Sequence, residues 1–431
     1  MKEGFILNIQ LLKTGINTFL DKTINLADLT SDKMKEIYND LEPLFEQYGY
    51  RSETISSNPN ILVIVGGGIG DSICASNIFV ELKAVYPDSQ ITMICSSSTV
   101  KEIYEHCDLI SDIIEIPIAL FDSQDDLSSD ETKEFFSNLL DKRYEIAYVL
   151  AWDPILSFWS YLGGCKYIHA LEIDEEHPLL ASDHEIQKDQ INYAKTIISE
   201  PYSLKSNEHI AEAFSNMIRK NRAPIHNHVW ITNNDKEAIS KYVTSDKNIM
   251  LGIFADDPRK EYPYYDEVIE KLHELDPEFT FYLIGTTNDL RQLEKVDEMT
   301  KLPNVVSLIN KLKIRESIAI LEKCKYCITN DTWLVHAVSA YNIPTINISC
   351  YATDKPLYKY SSIVLFRPLN IPSIVIQPKV ALGPECKTAK SEYIGCAADG
   401  AHCIKSIESE TIVTAFKELQ NLTEVTTLYR S

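Results

Sequence analysis

The chain has 431 residues, 45% of them apolar, enough to bury two cores and too many for one small module. Lysine and arginine total 41 against 63 aspartates and glutamates. The resulting net charge of −22 repels nucleic acid and disfavours an anionic membrane as a general partner, so no nucleic-acid partner is expected.

Met1 to Lys22 is apolar in part, but Asn8, Gln10 and Lys13 interrupt it and no small-residue cleavage site follows. Neither a signal peptide nor a membrane span is read there. A cytoplasmic location is expected, with room for peripheral contact at the inner face of the plasma membrane. Phe5, Ile9, Leu12, Ile16 and Phe19 form one apolar stripe along a helix. A second stripe, Met34, Ile37, Leu41, Leu44 and Phe45, starts after the cap-like Ser31 and is disturbed by Pro43. Residues 1–58 are thus a helical extension, packed on its own domain or serving a homo-oligomer interface.

From Asn60 the pattern alternates strand and helix. Strands are expected at Ile61–Val65, Gln90–Cys95, Ile113–Ile116, Tyr144–Leu150 and Tyr167–Leu171, with a helix at Ser72–Val85. The acidic run Asp122–Glu131 reads as solvated surface. Asn221–Asn234, containing Pro224, is the expected interdomain region. A second series follows at Ile249–Phe254, Phe279–Ile284, Val305–Leu308, Tyr326–Thr329, Thr345–Ile348 and Ile363–Phe366. The fold class is α/β, with one domain expected over 59–222 and a second over 223–431 that ends in a helix.

Two turns carry the chemistry. In the first, the run Ile61–Val65 stops at Gly66-Gly67-Gly68-Ile69-Gly70-Asp71 and restarts as a helix, so backbone N–H groups and a carboxylate point into a crevice. A dinucleotide site would need a third glycine where Asp71 stands and an acid after the second strand, where Cys95-Ser96-Ser97-Ser98 stands instead. That fingerprint fails twice. Gly67, Gly68 and Gly70 still allow close backbone approach, and Asp71 either caps the helix or acts as a base. The second turn is Asn330-Asp331-Thr332-Trp333-Leu334-Val335-His336.

These residues resemble glycosyltransferase family 9, which contains the bacterial ADP-heptose:lipopolysaccharide heptosyltransferases. The resemblance rests on Gly68-Ile69-Gly70-Asp71 with Tyr86-Pro87-Asp88, on Lys260 with Tyr262-Pro263, on Asp331, Thr332 and His336, and on Cys403-Ile404-Lys405-Ser406-Ile407. It runs in order from about Asn60 to Leu419. It implies a GT-B architecture, two Rossmann-like domains facing a central cleft, and an inverting transfer from a nucleoside-diphosphate sugar, ADP-heptose foremost. The acceptor would be a glycan, glycolipid or protein in cell-surface glycan synthesis.

In this resemblance Asp71 matches the base, Lys260 would hold the diphosphate, and Asp331 would hold donor-sugar hydroxyls. Thr332 and the N–H groups after it would cradle phosphate. Simple readings stand beside these: a surface lysine for Lys260, a helix cap for Asn330 or Asp331, and a packed, loop-steadying histidine for His336. Trp333 replaces the family's glycine, which leaves the donor pocket open to reshaping. The strong acidity is awkward for a phosphorylated acceptor.

No cofactor and no catalytic metal are implied. Cys386, Cys396, His402 and Cys403 could fill a structural zinc or iron site, but their spacing follows no known pattern and free thiols are the simpler account. Cys324 and Cys327, like Cys74 and Cys95, sit in apolar runs and read as reduced core thiols. Two other functions stay open: a sugar-nucleotide epimerase of GT-B shape, and an inactive saccharide- or nucleotide-binding protein.

Overall fold

The computed structural model describes residues 2–431 except 24, 121–125, 175–176, 178–184, 220–224, 244, 383–401 and 423–425. Two sheets organise it. The first contains β1 (Ile61–Val65), β2 (Ile91–Cys95), β3 (Asp112–Glu115), β4 (Ile146–Leu150), β5 (Tyr167–Leu171) and β6 (Glu200–Tyr202), in the order β3-β2-β1-β4-β5-β6. The second contains β7 (Asn248–Gly252), β8 (Thr280–Ile284), β9 (Val305–Ser307), β10 (Tyr326–Asn330), β11 (Thr345–Ile348), β12 (Ser373–Ile376) and β13 (Thr427–Arg430), in the order β13-β12-β11-β10-β7-β8-β9.

Each strand pairs with its neighbours in parallel. Parallel strands are covered on both faces by crossover helices, which is why β1 is an unbroken apolar run with all five residues buried. The order in which strands are added across the sheet reverses between β1 and β4 in the first sheet and between β7 and β10 in the second. At such a switch point the connections diverge and leave a crevice beyond the carboxyl ends of the strands.

The N-terminal stripes are spent inside the chain. Helices α1 (Lys2–Lys22) and α2 (Ser31–Gln47) bury Leu12, Ile16, Leu20, Met34, Leu41 and Phe45 in one core with Leu62, Ile64, Phe136 and Trp159. The buried residues of both stripes pack on the chain's own first core. The cap of α2 is Thr30, whose hydroxyl accepts from Lys33 N at 3.4 Å, one residue before the expected Ser31. Pro43 sits within α2 without ending it. A helix-interior proline costs about 3 kcal/mol, and burial of Leu41 and Phe45 on either side offsets that at about 1.5–3 kcal/mol each.

Three strands escaped the sequence reading: β6, β12 and β13. The expected strand at Ile363–Phe366 is instead a short helix, Ser362–Leu365, begun by Ser361. Its four-residue apolar run is too short for periodicity to separate the two states. Of the expected interdomain stretch, 220–224 lie outside the described residues, and 225–232 run without regular structure to Thr232, which caps helix Asn233–Ser240. The helix expected near the end is Ser409–Leu419, packed on the second core.

Candidate active site

The two expected turns lie at the two switch points. Gly66 to Asp71 leaves β1 beside β4, and Lys260 and Asp331 follow β7 and β10. Gly67 has φ +84°, a conformation that suits glycine, and its carbonyl accepts from Ser96 Oγ at 2.7 Å. The serines after β2 that broke the dinucleotide pattern therefore brace the turn, and Ser97 caps the next helix, accepting from Val100 N. Helix α3 spans Ile69–Val85, starting three residues earlier than expected.

One Asp71 oxygen, Oδ2, accepts from Gly68 N at 3.0 Å, so the carboxylate does cap its own helix. It also meets the other turn. Burial raises its pKa; backbone hydrogen bonds and the Lys260 ammonium pull it down, and the Asp331 carboxylate pushes it up. Asp71 thus shares one electrostatic environment with both second-half residues.

Lys260 is no surface lysine. It closes a tight turn in which Asp257 accepts from Arg259 N at 2.9 Å and Pro258 sets the first residue. Its ammonium donates to Asp331 Oδ2 at 3.0 Å, and both side chains are only 9% exposed. A pair that buried is costly to dehydrate, and loss of either partner strands a charge.

Neither Asn330 nor Asp331 caps the helix Trp333–Ala337. Asn330 is buried, and its Oδ1 accepts from Tyr262 N at 3.1 Å and from Tyr265 hydroxyl at 3.0 Å, fastening the Lys260 loop to the end of β10. Thr332 occupies the cap position, with extended backbone and no capping bond from its side chain.

The gap between the halves is narrow here. A Cβ on Gly70 would stand 3.0 Å from His336 Cδ2 and 3.5 Å from the Trp333 Cα. Trp333 therefore presents its backbone to α3, and its side chain is partly buried. His336 is buried, its carbonyl accepts from Asn227 Nδ2 at 3.0 Å, and burial holds its imidazole down at about 4. It is neutral near pH 7 and packs rather than carries protons.

His336, Cys74 and His209 lie with one ligand atom each within 4.8 Å of one another. His209 has no lone pair to give: Nδ1 accepts from Ala211 N at 3.0 Å, so Nε2 carries the proton and donates to the Arg367 carbonyl at 2.9 Å. The grouping is a packed seam between halves. Cys324 and Cys327 are free thiols, the latter fully buried. Cys386 and Cys396 lie outside the described residues; Cys403 is buried, and its Sγ is 3.7 Å from His402 Nδ1.

Sequence reasoning overlooked the second lip of the first crevice. After β4 come Ala151, Trp152 and Asp153, beside the glycine turn; a Cβ on Gly66 would lie 2.5 Å from that of Ala151. Asp153 caps helix Pro154–Leu162, and Oδ1 accepts from Ile155 N at 3.0 Å. Trp152 packs against His177 and, across the gap, Tyr360, with ring centroids at 5.4 and 6.0 Å. Its buried indole N–H has no acceptor among the described residues, an omission that ordinarily costs about 1–3 kcal/mol. The sequence reading ended this strand at Leu150 and assigned nothing to Trp152.

Two parallel-sheet halves whose switch points face each other define the GT-B fold. Residues 166–375 match the model of "Glycosyltransferase family 9 (heptosyltransferase)", so the chain carries a domain of that family. The match takes in Lys260 and Asp331 to His336; Asp71 precedes it.

Solved structures agree on the fold. The chain is similar to a glycosyl transferase family 9 protein of Veillonella parvula (15% identity, TM-score 0.63, 86% of this chain and 99% of that one). It is also similar to the E. coli ADP-heptose lipopolysaccharide heptosyltransferase II (17%, 0.59, 84% and 98%). A third is the E. coli heptosyltransferase WaaC with ADP (12%, 0.55, 83% and 97%). No curated protein matches the sequence. Among the described residues no helix is long and apolar enough to cross a membrane.

Proposed function

We propose that this protein is an inverting glycosyltransferase that moves a sugar, heptose foremost, from a nucleoside-diphosphate donor, ADP-heptose foremost, to a hydroxyl of a glycan, glycolipid or protein. The observation that carries the reading is the buried Lys260–Asp331 pair at one switch point with the Asp71 carboxylate at the other. The donor choice draws on a relative: WaaC has been solved with ADP and with ADP-2-deoxy-2-fluoro heptose.

In this reading donor binding exchanges partners within the pair. Lys260 moves its ammonium to the diphosphate, and Asp331 accepts from sugar hydroxyls. Asp71 takes the acceptor hydroxyl proton through the oxygen not bound to Gly68. The acceptor oxygen then bonds to the anomeric carbon from the face opposite the diphosphate, whose bond breaks with its electron pair. Lys260 and the N–H groups after Thr332 take up that departing charge. Gly67, Gly68 and Gly70 keep the backbone low enough for the acceptor to reach Asp71. No cofactor is needed for these steps.

The test is Asp71→Asn assayed for nucleoside diphosphate release and for sugar joined to acceptor. A fall on the order of 10²–10⁴-fold with donor-induced thermal stabilisation retained is expected. Unchanged turnover would remove the base. Product analysis separates the other functions: a free epimerised sugar nucleotide means epimerase, and binding without turnover means a binding protein.

A further inference from the structure

The turn after β7 holds more charge than the transfer chemistry above uses. Asp257 begins it, and the Lys260 N–H closes it on the Asp257 carbonyl at 2.9 Å, which brings the two residues to one side of a tight turn. The Asp257 carboxylate is nonetheless held by another residue. Its Oδ1 accepts from Arg259 Nε at 2.9 Å as well as from the Arg259 backbone, and its Oδ2 accepts from Nε at 3.0 Å and Nη2 at 2.7 Å. Both side chains are largely buried, Arg259 at 18% exposure and Asp257 at 16%. Resting on the transferase reading, we infer that Arg259 is a positioning residue: by occupying both Asp257 oxygens it keeps that carboxylate from competing for the Lys260 ammonium, which can then pass from Asp331 to the donor diphosphate.

Electrostatics make that competition real. Burial pushes the Asp257 pKa up, but the Arg259 hydrogen bonds and then the Arg259 and Lys260 charges pull it below the ordinary value, so the carboxylate stays ionised and feels both cations. Without Arg259 a buried carboxylate would lose its compensating charge and draw Lys260. Lys260 would then be shared between Asp257 and Asp331, with the Asp71 carboxylate in the same field. An arriving diphosphate would meet that surplus of negative charge and find its cation engaged. Arginine suits the task, because its planar fork fills both carboxylate oxygens at once and keeps its proton at any working pH. The effect runs through Asp257 and Lys260 and requires no contact between Arg259 and the donor.

The experiment is a double-mutant cycle on the full chain, read as affinity by titration calorimetry. ADP, GDP, UDP and CDP are the probes, with the matching nucleosides as controls, and the cycle is run on the diphosphate that binds best. Arg259→Met should weaken that diphosphate at least about tenfold and its nucleoside less than about twofold, because the released acid acts on phosphate charge. Asp257→Asn removes the acid and keeps an acceptor for the Arg259 N–H. Combined with Arg259→Met, it should return diphosphate affinity to within about threefold of the unaltered protein. If Arg259→Met does not fold, Arg259→Gln, which also lacks the charge, takes its place in the cycle. A loss that persists in the double variant makes Arg259 a direct clamp or a prop of the turn and overturns the inference, as does no loss in the single variant; either leaves the transferase reading standing. An unaltered protein that binds none of the four diphosphates overturns that reading, and the role of Arg259 with it.

Discussion

Asp71 closes the glycine turn through one oxygen, and the proposed transfer uses the other. Because burial raises its pKa, kcat/KM should fall on the acid side at a pH above the ordinary carboxylate range. Its neighbours make that limb movable. Lys260→Met removes a positive charge that favours the ionised form, so the limb should shift upward on residual activity; Asp331→Asn removes a negative one, so it should shift downward. Limbs that stay in place in both variants would separate Asp71 from the pair.

His336 supplies a stability test at the same scale. Its folded value of about 4 lies below the unfolded 6.5, so the unfolded chain binds more protons between those values. Its contribution is fully present above about pH 6.5 and is lost as pH falls through about 4, on the order of 3 kcal/mol in total. His336→Phe should flatten the acid side of a denaturation profile taken from pH 4 to 7. An unchanged slope would mean that other groups govern acid stability.

Asp71 and Asp331 were legible because each follows an apolar run at a turn, and Lys260 through the resemblance carried by Lys260 with Tyr262-Pro263. Trp152 was not, since an unpartnered N–H is visible only after packing.

Elements place these side chains, and Asn330 is the fastening between two of them. Asn330→Ala would release Tyr262 N and the Tyr265 hydroxyl and leave the Lys260 loop untied at the end of β10. Stability should drop by about 1–3 kcal/mol by chemical denaturation, and the donor KM should rise more than the acceptor KM. An equal rise in both would place the fastening outside the donor half.

Strands with continuous apolar runs were found in sequence to within a few residues. β6 was missed because Pro201 interrupts its three residues, and β13 because Thr427 to Arg430 alternates on an edge with polar groups. β12 is a buried four-residue strand following Pro372, too brief for a pattern. The helices of the extension were legible in period, and Leu41→Ala should cost about 2–5 kcal/mol because that stripe is core.

The whole molecule works by bringing two switch points together, and Gly70 sets how near they come. A side chain there would collide with His336 and the Trp333 backbone. Gly70→Val should therefore wedge the halves apart, lowering transfer more than about tenfold and raising the radius of gyration in solution scattering; normal turnover would contradict a closed working state. That two α/β halves existed was legible from the alternation of strand and helix. Their facing orientation was not, because no local pattern encodes which helix of one half touches which of the other.

The most direct test of the central claim is a crystal structure of the protein with ADP. The account predicts the diphosphate on Lys260 Nζ and the amides after Thr332, with the Lys260–Asp331 pair opened and the Asp71 carboxylate facing it across the gap. ADP bound elsewhere, with that pair intact, would contradict it.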